Sequence, residues 1–186
     1  MKEAIWTDAH LIKTLEGGGV AVMPTDTLYG IVGQALNKET FERLYAVRKR
    51  PPQKPSIVLI GDMSELEKFG VELSLAQKEK LAEYWPGPVS VVLECPNNDL
   101  DYLHCGTNSL AFRMPAYQNF RKFLLATGPL VAPSANLEGM PPAKNIVEAK
   151  KYFGDSIDMY IDGGEISGSP SRLIKLHSDG TPSILR

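Results

Sequence analysis

Hydrophobic residues along the chain switch several times between helical and strand-like spacing. A first helix is predicted to begin near residue 7 or 8 and to end at the glycines 17–19. Asn37 is predicted to cap a second helix, which must end before Pro51. Further helices are predicted over residues 62–69, 74–84, 117–126 and 146–153. Strands are predicted over residues 20–23, 56–60, 89–94, 110–114, 130–132, 157–161 and 172–176, with a hairpin into 183–186. This order predicts one α/β domain over residues 1–186, whose twisted sheet of parallel and antiparallel strands is flanked by helices.

The segment 24–30 follows the first predicted strand directly and concentrates polar groups. Thr25, Asp26, Thr27 and Tyr29 place two hydroxyls, a carboxylate and a phenol within five residues. Taken alone, such a segment is typical of a turn capped by its aspartate. The apolar strand before it and the glycine after it favour a pocket wall instead.

A basic segment, residues 48–55, begins at the end of the second predicted helix. Its four cations are Arg48, Lys49, Arg50 and Lys54. Such a run is often a solvated surface that complements the helix dipole. Arg48, however, lies three, four and seven residues after Tyr45, Leu44 and Phe41, which form the apolar face of the helix. Its side chain is therefore expected to point towards the protein interior. A partly buried cationic loop would suit a triphosphate. The sequence supports a solvated surface and a phosphate site equally.

Two further segments carry polar residues within strand-like patterns. Ser134 and Asn136 point the same way if the chain stays extended, where they could bind a phosphate or a base edge, or form a turn. Arg113 alternates with apolar residues of a predicted strand. It is therefore either an edge residue or a buried cation that awaits an anion, for example a substrate carboxylate.

Composition and missing motifs narrow the functional classes. The formal net charge of −2 argues against a general nucleic-acid binder. The chain contains no phosphate loop of the G-x-x-x-x-G-K type and no G-x-G-x-x-G after a strand, so any ATP site must be of another kind. The three histidines and two cysteines form no evident metal-ligand cluster. Neither a signal peptide nor a membrane-spanning run is evident, which predicts a cytoplasmic protein without membrane association.

Together these segments resemble the YrdC/TsaC family of threonylcarbamoyl-AMP synthases. Matching segments follow the family order along nearly the whole chain, at residues 24–30, 48–55, 85–88, 109–115, 132–137, 161–164 and 184–186. The resemblance implies a YrdC-like domain with a basic cavity. It also implies that L-threonine, bicarbonate and ATP give threonylcarbamoyl-AMP, pyrophosphate and water, for the threonylcarbamoyladenosine modification of tRNA. Mg2+ bound mainly through the ATP phosphates and transfer of the product to a tRNA threonylcarbamoyl transferase are implied as well.

The resemblance also assigns residues to roles. The threonine site is expected to comprise Thr27, Leu59, Arg113, Ala132 and Ser171, with Arg113 facing the carboxylate and Leu59 contributing its backbone. The ATP site is expected to comprise Arg50, Lys54, Ser109, Ser134, Pro142 and Arg186. The catalytic residues are expected to be Arg48, Arg50, Ser134 and Asn136, with no metal bound by the protein alone. Arg48 stands where the family usually has lysine, and this exchange replaces a compact ammonium group by a planar guanidinium group.

Two alternatives belong to other functional classes. The chain could be a double-stranded RNA or ribosome-binding module that uses a basic rim, with direct contact to tRNA or double-stranded RNA. It could also be a paralogue of the synthases that has no synthase activity. The pairs Arg50-Pro51 and Ser134-x-Asn136 favour the synthase.

Overall fold

The computed structural model describes residues 3–49 and 56–186, and within these ranges nine strands form one mixed sheet. The strands are β1 (Ala21–Pro24), β2 (Tyr29–Gln34), β3 (Ile57–Leu59), β4 (Val89–Glu94), β5 (Ser109–Arg113), β6 (Leu130–Val131), β7 (Met159–Tyr160), β8 (Arg172–Leu176) and β9 (Pro182–Ile184). Their order across the sheet is β7-β1-β2-β6-β3-β5-β4-β8-β9. The pairs β1–β7, β3–β5 and β4–β8 are parallel, and the other neighbours are antiparallel. The predicted α/β class with a mixed sheet is confirmed.

Helices flank this sheet, and most of them begin at a side-chain cap. They are α1 (Ala9–Glu16), α2 (Lys38–Val47), α3 (Leu75–Tyr84), α4 (Asp101–His104), α5 (Gln118–Thr127) and α6 (Ile146–Phe153). Side-chain oxygens of Asp8, Asn37, Ser74 and Asn145 accept backbone N–H groups at the starts of α1, α2, α3 and α6. Short 3-10 turns cover Glu3–Thr7, Met63–Phe69, Asn98–Leu100 and Gly154–Ser156. In the described ranges, no helix combines the length and the apolar character needed to cross a membrane.

Hydrophobic cores lie on both faces of the sheet because side chains alternate along each strand. On β1, Ala21 and Met23 contact the core under α1 and α5, whereas Val22 contacts the core under α2, α3 and α6. Both faces are therefore covered, which explains why the central strands are apolar throughout. Three layers result, with the sheet in the middle.

Three regions differ from the sequence-based expectation. Strand β2 was not predicted, because its two glycines lower the strand propensity and it follows directly on a polar segment. Gly33 is nonetheless suited to its position, since a Cβ there would lie 2.5 Å from the Thr40 methyl group of α2. Residues 63–69 form a 3-10 helix where an α-helix was expected, and the short α4 lies between β4 and β5, where the sequence pattern predicts no helix.

Candidate functional site

A cavity of about 460 Å³ opens where the ends of β1, β5 and β6 meet the C-terminal hairpin. Hydroxyl groups, prolines and two arginines dominate its wall. The described lining residues are Thr25, Thr27, Leu28, Tyr29, Gly30, Ser56, Ile57, Val92, Thr107, Ser109, Ala111, Arg113, Ala132, Pro133, Ser134, Pro142, Pro170, Ser171, Leu173 and Arg186. Its size falls within the range of small-molecule sites.

The loop between β1 and β2 forms one wall, and Thr25 organises it. The hydroxyl of Thr25 donates to the carbonyl oxygen of Leu28 at 2.7 Å and accepts the backbone N–H groups of Thr27 and Leu28 at 3.3 Å. The turn is therefore capped by Thr25 and not by Asp26, and the segment forms a wall of the cavity, as its flanking residues favoured. This leaves the carboxylate of Asp26 available for another contact.

That contact is a buried ion pair with Arg113 at the end of β5. Arg113 Nη1 lies 3.0 Å from Asp26 Oδ1, and the two side chains are only 5% and 4% exposed. The same Nη1 donates to Thr27 Oγ1 at 3.2 Å. Arg113 is thus the predicted buried cation, but an aspartate of the chain already provides an opposite charge.

The pair is incompletely satisfied. Among the described residues, the buried Asp26 Oδ1 contacts Arg113 Nη1 as an ion pair without forming a hydrogen bond, and the buried Arg113 Nε has no hydrogen-bond partner. Burial raises the pKa of Asp26 and the positive charge of Arg113 opposes that rise. Burial likewise lowers the pKa of Arg113, and Asp26 opposes that change. Both pKa values are thus shifted towards the neutral form, because burial disfavours the charge on either side chain.

A second polar group lies around Asn136, on the segment that follows β6. Residues 133–135 run beside the start of β2, with Ile31 N–H donating to Pro133 O and Ala135 N–H to Tyr29 O. Asn136 Nδ2 donates to the carbonyl oxygens of Leu137 and Met140 at 2.8 and 2.9 Å. These two bonds fix the orientation of the amide, so its oxygen faces the opposite way.

The amide oxygen of Asn136 accepts hydrogen bonds from two other predicted site residues. Ser134 Oγ donates to Asn136 Oδ1 at 2.6 Å. Arg48 donates from Nη2 to the same oxygen at 3.3 Å and from Nε to Asn136 O at 3.1 Å. The proton of Ser134 is therefore directed at Asn136, and its lone pairs remain for a ligand in the cavity.

Arg48 is 1% exposed, as the helical spacing predicted. It does not belong to the described cavity lining. Its side chain donates to Asn136, and its carbonyl oxygen accepts the N–H of Glu138. A direct contact between Arg48 and a phosphate stays a prediction. These contacts connect the start of the basic segment with the loop 137–142, which reaches the cavity at Pro142.

The segment 161–171 covers the loop between β1 and β2. The Tyr29 hydroxyl donates to Gly164 O and accepts the Gly163 N–H, both at 2.8 Å. A Cβ at Gly168 would overlap the carbonyl oxygen of Thr27, so only glycine allows this approach. Further along, the hydroxyl groups of Ser171 and Ser90 lie 2.8 Å apart, and Arg186 Nη2 donates to Ser171 O at 3.3 Å.

The structure brings most of the predicted site residues to one cavity. Those that line it are Thr27, Ser109, Arg113, Ala132, Ser134, Pro142, Ser171 and Arg186. Arg48, Asn136 and Leu59 are buried beside it, and the backbone of Leu59 pairs with Arg113 in the sheet. The predictions for Arg50 and Lys54 lie outside the described residues.

Sequence reasoning missed several lining residues and one contact. Ser56, Thr107 and Pro170 were not proposed, and no local pattern distinguishes them from ordinary loop residues. The ion pair between Asp26 and Arg113 joins residues 87 positions apart, which spacing alone does not reveal. The one available signal was that Asp26 immediately precedes Thr27, a residue already assigned to the site.

The fold and the cavity define a class: an α/β domain with a cavity lined by hydroxyl groups and arginines. The model of the Sua5/YciO/YrdC family, described as "Telomere recombination", matches residues 13–186. A threonylcarbamoyl-AMP synthase of Idiomarina loihiensis is 31% identical over 176 residues, which cover 91% of this chain and 91% of that protein. The chain belongs to the Sua5/YciO/YrdC family.

Solved structures agree with this assignment. Sua5 from Pyrococcus abyssi, complexed with L-threonine, superposes with a TM-score of 0.86 at 29% identity, covering 98% of this chain and 54% of that one. The MTH1692 protein from Methanobacterium thermoautotrophicum superposes with a TM-score of 0.75 at 32% identity, covering 95% of this chain and 84% of that one. The chain therefore spans about half the length of the P. abyssi protein and most of the other two.

Proposed function

We propose that this chain is an L-threonylcarbamoyladenylate synthase, which converts L-threonine, bicarbonate and ATP to threonylcarbamoyl-AMP, pyrophosphate and water. The observation that carries the proposal is the buried Arg113 at the cavity, with Thr27 beside it. A carboxylate bound there would pair with the guanidinium group of Arg113, which is one of the two arginines of the described cavity wall. The threonine complex of the P. abyssi relative supports an amino acid as the ligand.

The inventory of side chains suits this reaction. Bicarbonate takes up a proton and loses water to give CO2. The threonine amine, once it has lost its ammonium proton to solvent, forms a bond to the carbon of CO2 and releases a second proton, which yields a carbamate and needs no nucleophilic side chain. A carbamate oxygen then forms a bond to the α-phosphorus of ATP while the bond to pyrophosphate breaks. Such a step depends on positioning and on charge compensation at the phosphates. The described cavity wall, with its hydroxyl groups and arginines, suits these two tasks.

The remaining site residues divide between those that would bind the amino acid and those that would bind the nucleotide. Arg113, Thr27, Ala132 and Ser171 would surround the amino acid, and the backbone of Leu59 supports Arg113 from the neighbouring strand. Ser109, Ser134, Pro142 and Arg186 would line the nucleotide site. Arg50 and Lys54 are proposed to bind the ATP phosphates on the strength of the sequence alone. Arg48 and Asn136 would fix Ser134 from behind.

Mg2+ fits this site as a companion of ATP. The described residues contain no group of three or more His, Cys, Asp or Glu side chains that could hold a metal ion, but hydroxyl oxygens of Ser109 and Ser134 line the cavity. This donor set suits an ion whose oxygen ligands come mainly from phosphates and water. When bound, Mg2+ would neutralise phosphate charge, and Ser109 and Ser134 are the residues that we propose would contact its water ligands.

The names of the relatives support the synthase over the alternative of an RNA-binding module. The net charge of −2 also fits a small-molecule site better than a site for RNA. Because an adenylated carbamate is labile, we propose that the product passes to a tRNA threonylcarbamoyl transferase. A direct contact with tRNA belongs to the same proposal.

The decisive experiment measures pyrophosphate release from ATP by the purified protein. We expect release that requires both L-threonine and bicarbonate, with L-serine a much poorer substrate and no release in the presence of EDTA. The Arg113→Ala variant provides an inactive control. Release without threonine would show a different acceptor, and no release under any condition would favour a paralogue without synthase activity.

A further inference from the structure

His104 is a buried histidine to which the proposed reaction gives no role. It is the last residue of α4 and is only 1% exposed. Both ring nitrogens contact backbone groups, Nδ1 at 3.3 Å from the nitrogen of Asn108 and Nε2 at 3.2 Å from Asn97 O. Because a backbone N–H can only donate, Nδ1 accepts from Asn108 and Nε2 donates to Asn97 O. Asp101 Oδ1 lies 3.8 Å from Nδ1, beyond hydrogen-bond distance, on a side chain that is 71% exposed.

The turn that follows α4 is held by three hydrogen bonds to His104. Besides the bond at Nδ1, the carbonyl oxygen of His104 accepts the N–H of Thr107 at 3.0 Å and the hydroxyl of Thr107 at 2.6 Å. Cys105 and Asn108 have φ angles of 54° and 50°, a left-handed conformation that is unfavourable for residues other than glycine. The turn therefore depends on these bonds for its shape, and Nδ1 supplies the one that fixes Asn108.

This turn reaches the cavity through Thr107 and Ser109, which both line its wall. Their side chains are connected, since Ser109 Oγ donates to Thr107 Oγ1 at 3.3 Å. Ser109 begins β5 and Arg113 ends it, and both line the cavity from the same face of the strand. A rise of about 3.3 Å per residue places them about 13 Å apart. The turn is therefore at the opposite end of the cavity from Arg113, where the nucleotide is proposed to lie.

We propose that His104 is a positioning residue for the nucleotide, because its Nδ1 holds the turn in the shape that presents Thr107 and Ser109 to ATP. This inference rests on the proposed function, which supplies ATP as the ligand. His104 touches no substrate and acts only through the two hydroxyl groups. The two ring nitrogens have different tasks: Nδ1 holds the turn itself, whereas Nε2 anchors the ring to Asn97, on the other side of α4 in the chain.

The test separates the two nitrogens with His104→Asn and His104→Gln. An asparagine amide oxygen can replace Nδ1 as the acceptor for Asn108, whereas a glutamine amide nitrogen can replace only Nε2. Calorimetry with α,β-methylene-ATP should show affinity about tenfold weaker in His104→Gln but within about threefold of the wild type in His104→Asn. Amide hydrogen exchange at Asn108 should be faster in His104→Gln alone, and L-threonine affinity should stay within about twofold in both variants. His10→Gln is the matched control, since His10 is an exposed residue of α1 and should leave every quantity unchanged.

Several results would overturn the inference. One is an equal loss of analogue affinity in both variants, which would make the ring a merely structural element. Another is wild-type affinity in His104→Gln despite faster exchange at Asn108, because the turn would then not matter to the nucleotide.

A third variant keeps the inference testable if the His104 variants do not fold, as judged by circular dichroism. Thr107→Val removes a wall hydroxyl without touching the buried ring, and we expect it to weaken analogue binding by about fivefold; unchanged binding would refute the inference. The expected pattern of analogue affinities without threonine-dependent pyrophosphate release would instead refute the proposed function alone.

Discussion

Arg48 and Arg113 are two buried arginines whose surroundings differ in kind. Arg48 donates to the backbone and amide oxygens of Asn136, which are neutral acceptors fixed by the loop 137–142. Arg113 faces the carboxylate of Asp26 and the hydroxyl of Thr27 through Nη1. Arg48 lies behind the cavity wall, whereas Arg113 forms part of it.

We propose that this difference in position separates a supporting arginine from a ligand-binding one. An arginine behind the wall acts on a ligand through the residues that it holds, here Asn136 and Ser134. An arginine in the wall can itself bind an anionic ligand. Burial alone would have assigned the same role to both residues. Four substitutions test this distinction, beginning with the largest expected effect.

Arg113→Ala should abolish the function of the amino-acid side of the cavity. We expect kcat/KM for L-threonine to fall by about a hundredfold or more, because the carboxylate loses its charged partner. The free energy of unfolding should fall by about 3 to 5 kcal/mol, since Asp26 is left as a buried unpaired carboxylate. Steady-state pyrophosphate release and urea denaturation measure the two quantities.

The control for this variant is Arg121→Ala, which removes an arginine outside the described cavity lining. Arg121 donates to the carbonyl oxygens of Pro115 and Ala116 near the start of α5. Its loss should leave the KM for threonine within about twofold of the wild type. Equal losses of kcat/KM in both variants would mean that Arg113 does not bind substrate.

Asn136→Ala should weaken ATP binding and destabilise the fold, but should leave threonine binding nearly unchanged. The substitution removes Oδ1, which accepts from Arg48 and Ser134, and Nδ2, which donates to two carbonyl oxygens of the loop. We therefore expect the free energy of unfolding to fall by about 2 to 4 kcal/mol. The KM for ATP should rise, because Ser134 and Pro142 lose their support. Calorimetry should show threonine affinity within about threefold of the wild type, and a larger loss would contradict the separation of the two sides.

Gly168→Ala tests the contact between the segment 161–171 and the Thr27 loop. A Cβ at this position would overlap Thr27 O, so the segment must move and take Ser171 away from the cavity. We expect threonine affinity to fall by about tenfold, with a smaller rise in the KM for ATP because Arg186 donates to Ser171 O. Gly17→Ala is the control, because its nearest neighbour would be an ordinary contact at 3.4 Å; an equal effect there would point to general destabilisation.

Arg43→Met provides a third arginine for comparison, in an ion pair that is partly exposed. Arg43 binds Asp158 through two nitrogens at 2.6 and 2.9 Å, with side chains 41% and 37% exposed. Because solvent screens the pair, we expect a loss of only about 0.5 to 1 kcal/mol at pH 7. Ligand affinities should not change.

The effect of Arg43→Met should depend on pH in one direction. The hydrogen bond from Arg43 lowers the pKa of Asp158, so the pair stabilises the fold above the ordinary carboxyl pKa of about 3.9. This stability is lost as pH falls through the lowered pKa of the folded state. Urea denaturation at pH 7 and pH 3 should therefore show a difference between variant and wild type that shrinks in acid. A difference that grows in acid would contradict the assigned sign.

Much of the fold could be predicted from the sequence because local rules decide it. The helix start expected near residue 7 or 8, the cap at Asn37 and the apolar spacing of α2 correctly located helices. The same spacing predicted the burial of Arg48. Strand β2 was not predicted, because its glycines lower the local strand propensity. The reason for Gly33 is the close packing of α2 against the strand, and this is a tertiary contact.

The candidate site could be predicted only as a set of polar segments. Ser134, Arg113 and Thr27 were proposed individually, and the family resemblance added residues such as Pro142 and Ser171 that carry no local signal. The partner of Arg113 was unpredictable in physical terms, since an alternating strand pattern indicates a buried cation without indicating which anion neutralises it.

The sequence by itself determined where elements begin and end, which residues turn inwards, and which segments are too polar to be plain connectors. These properties follow from periodicity and capping, which act over a few residues. Only the tertiary structure decided that Asp26 pairs with Arg113, that Asn136 joins Arg48 to Ser134, and that Gly168 approaches Thr27. Each of these contacts joins residues far apart in the chain, so it depends on the sheet order and on packing, which local patterns do not specify.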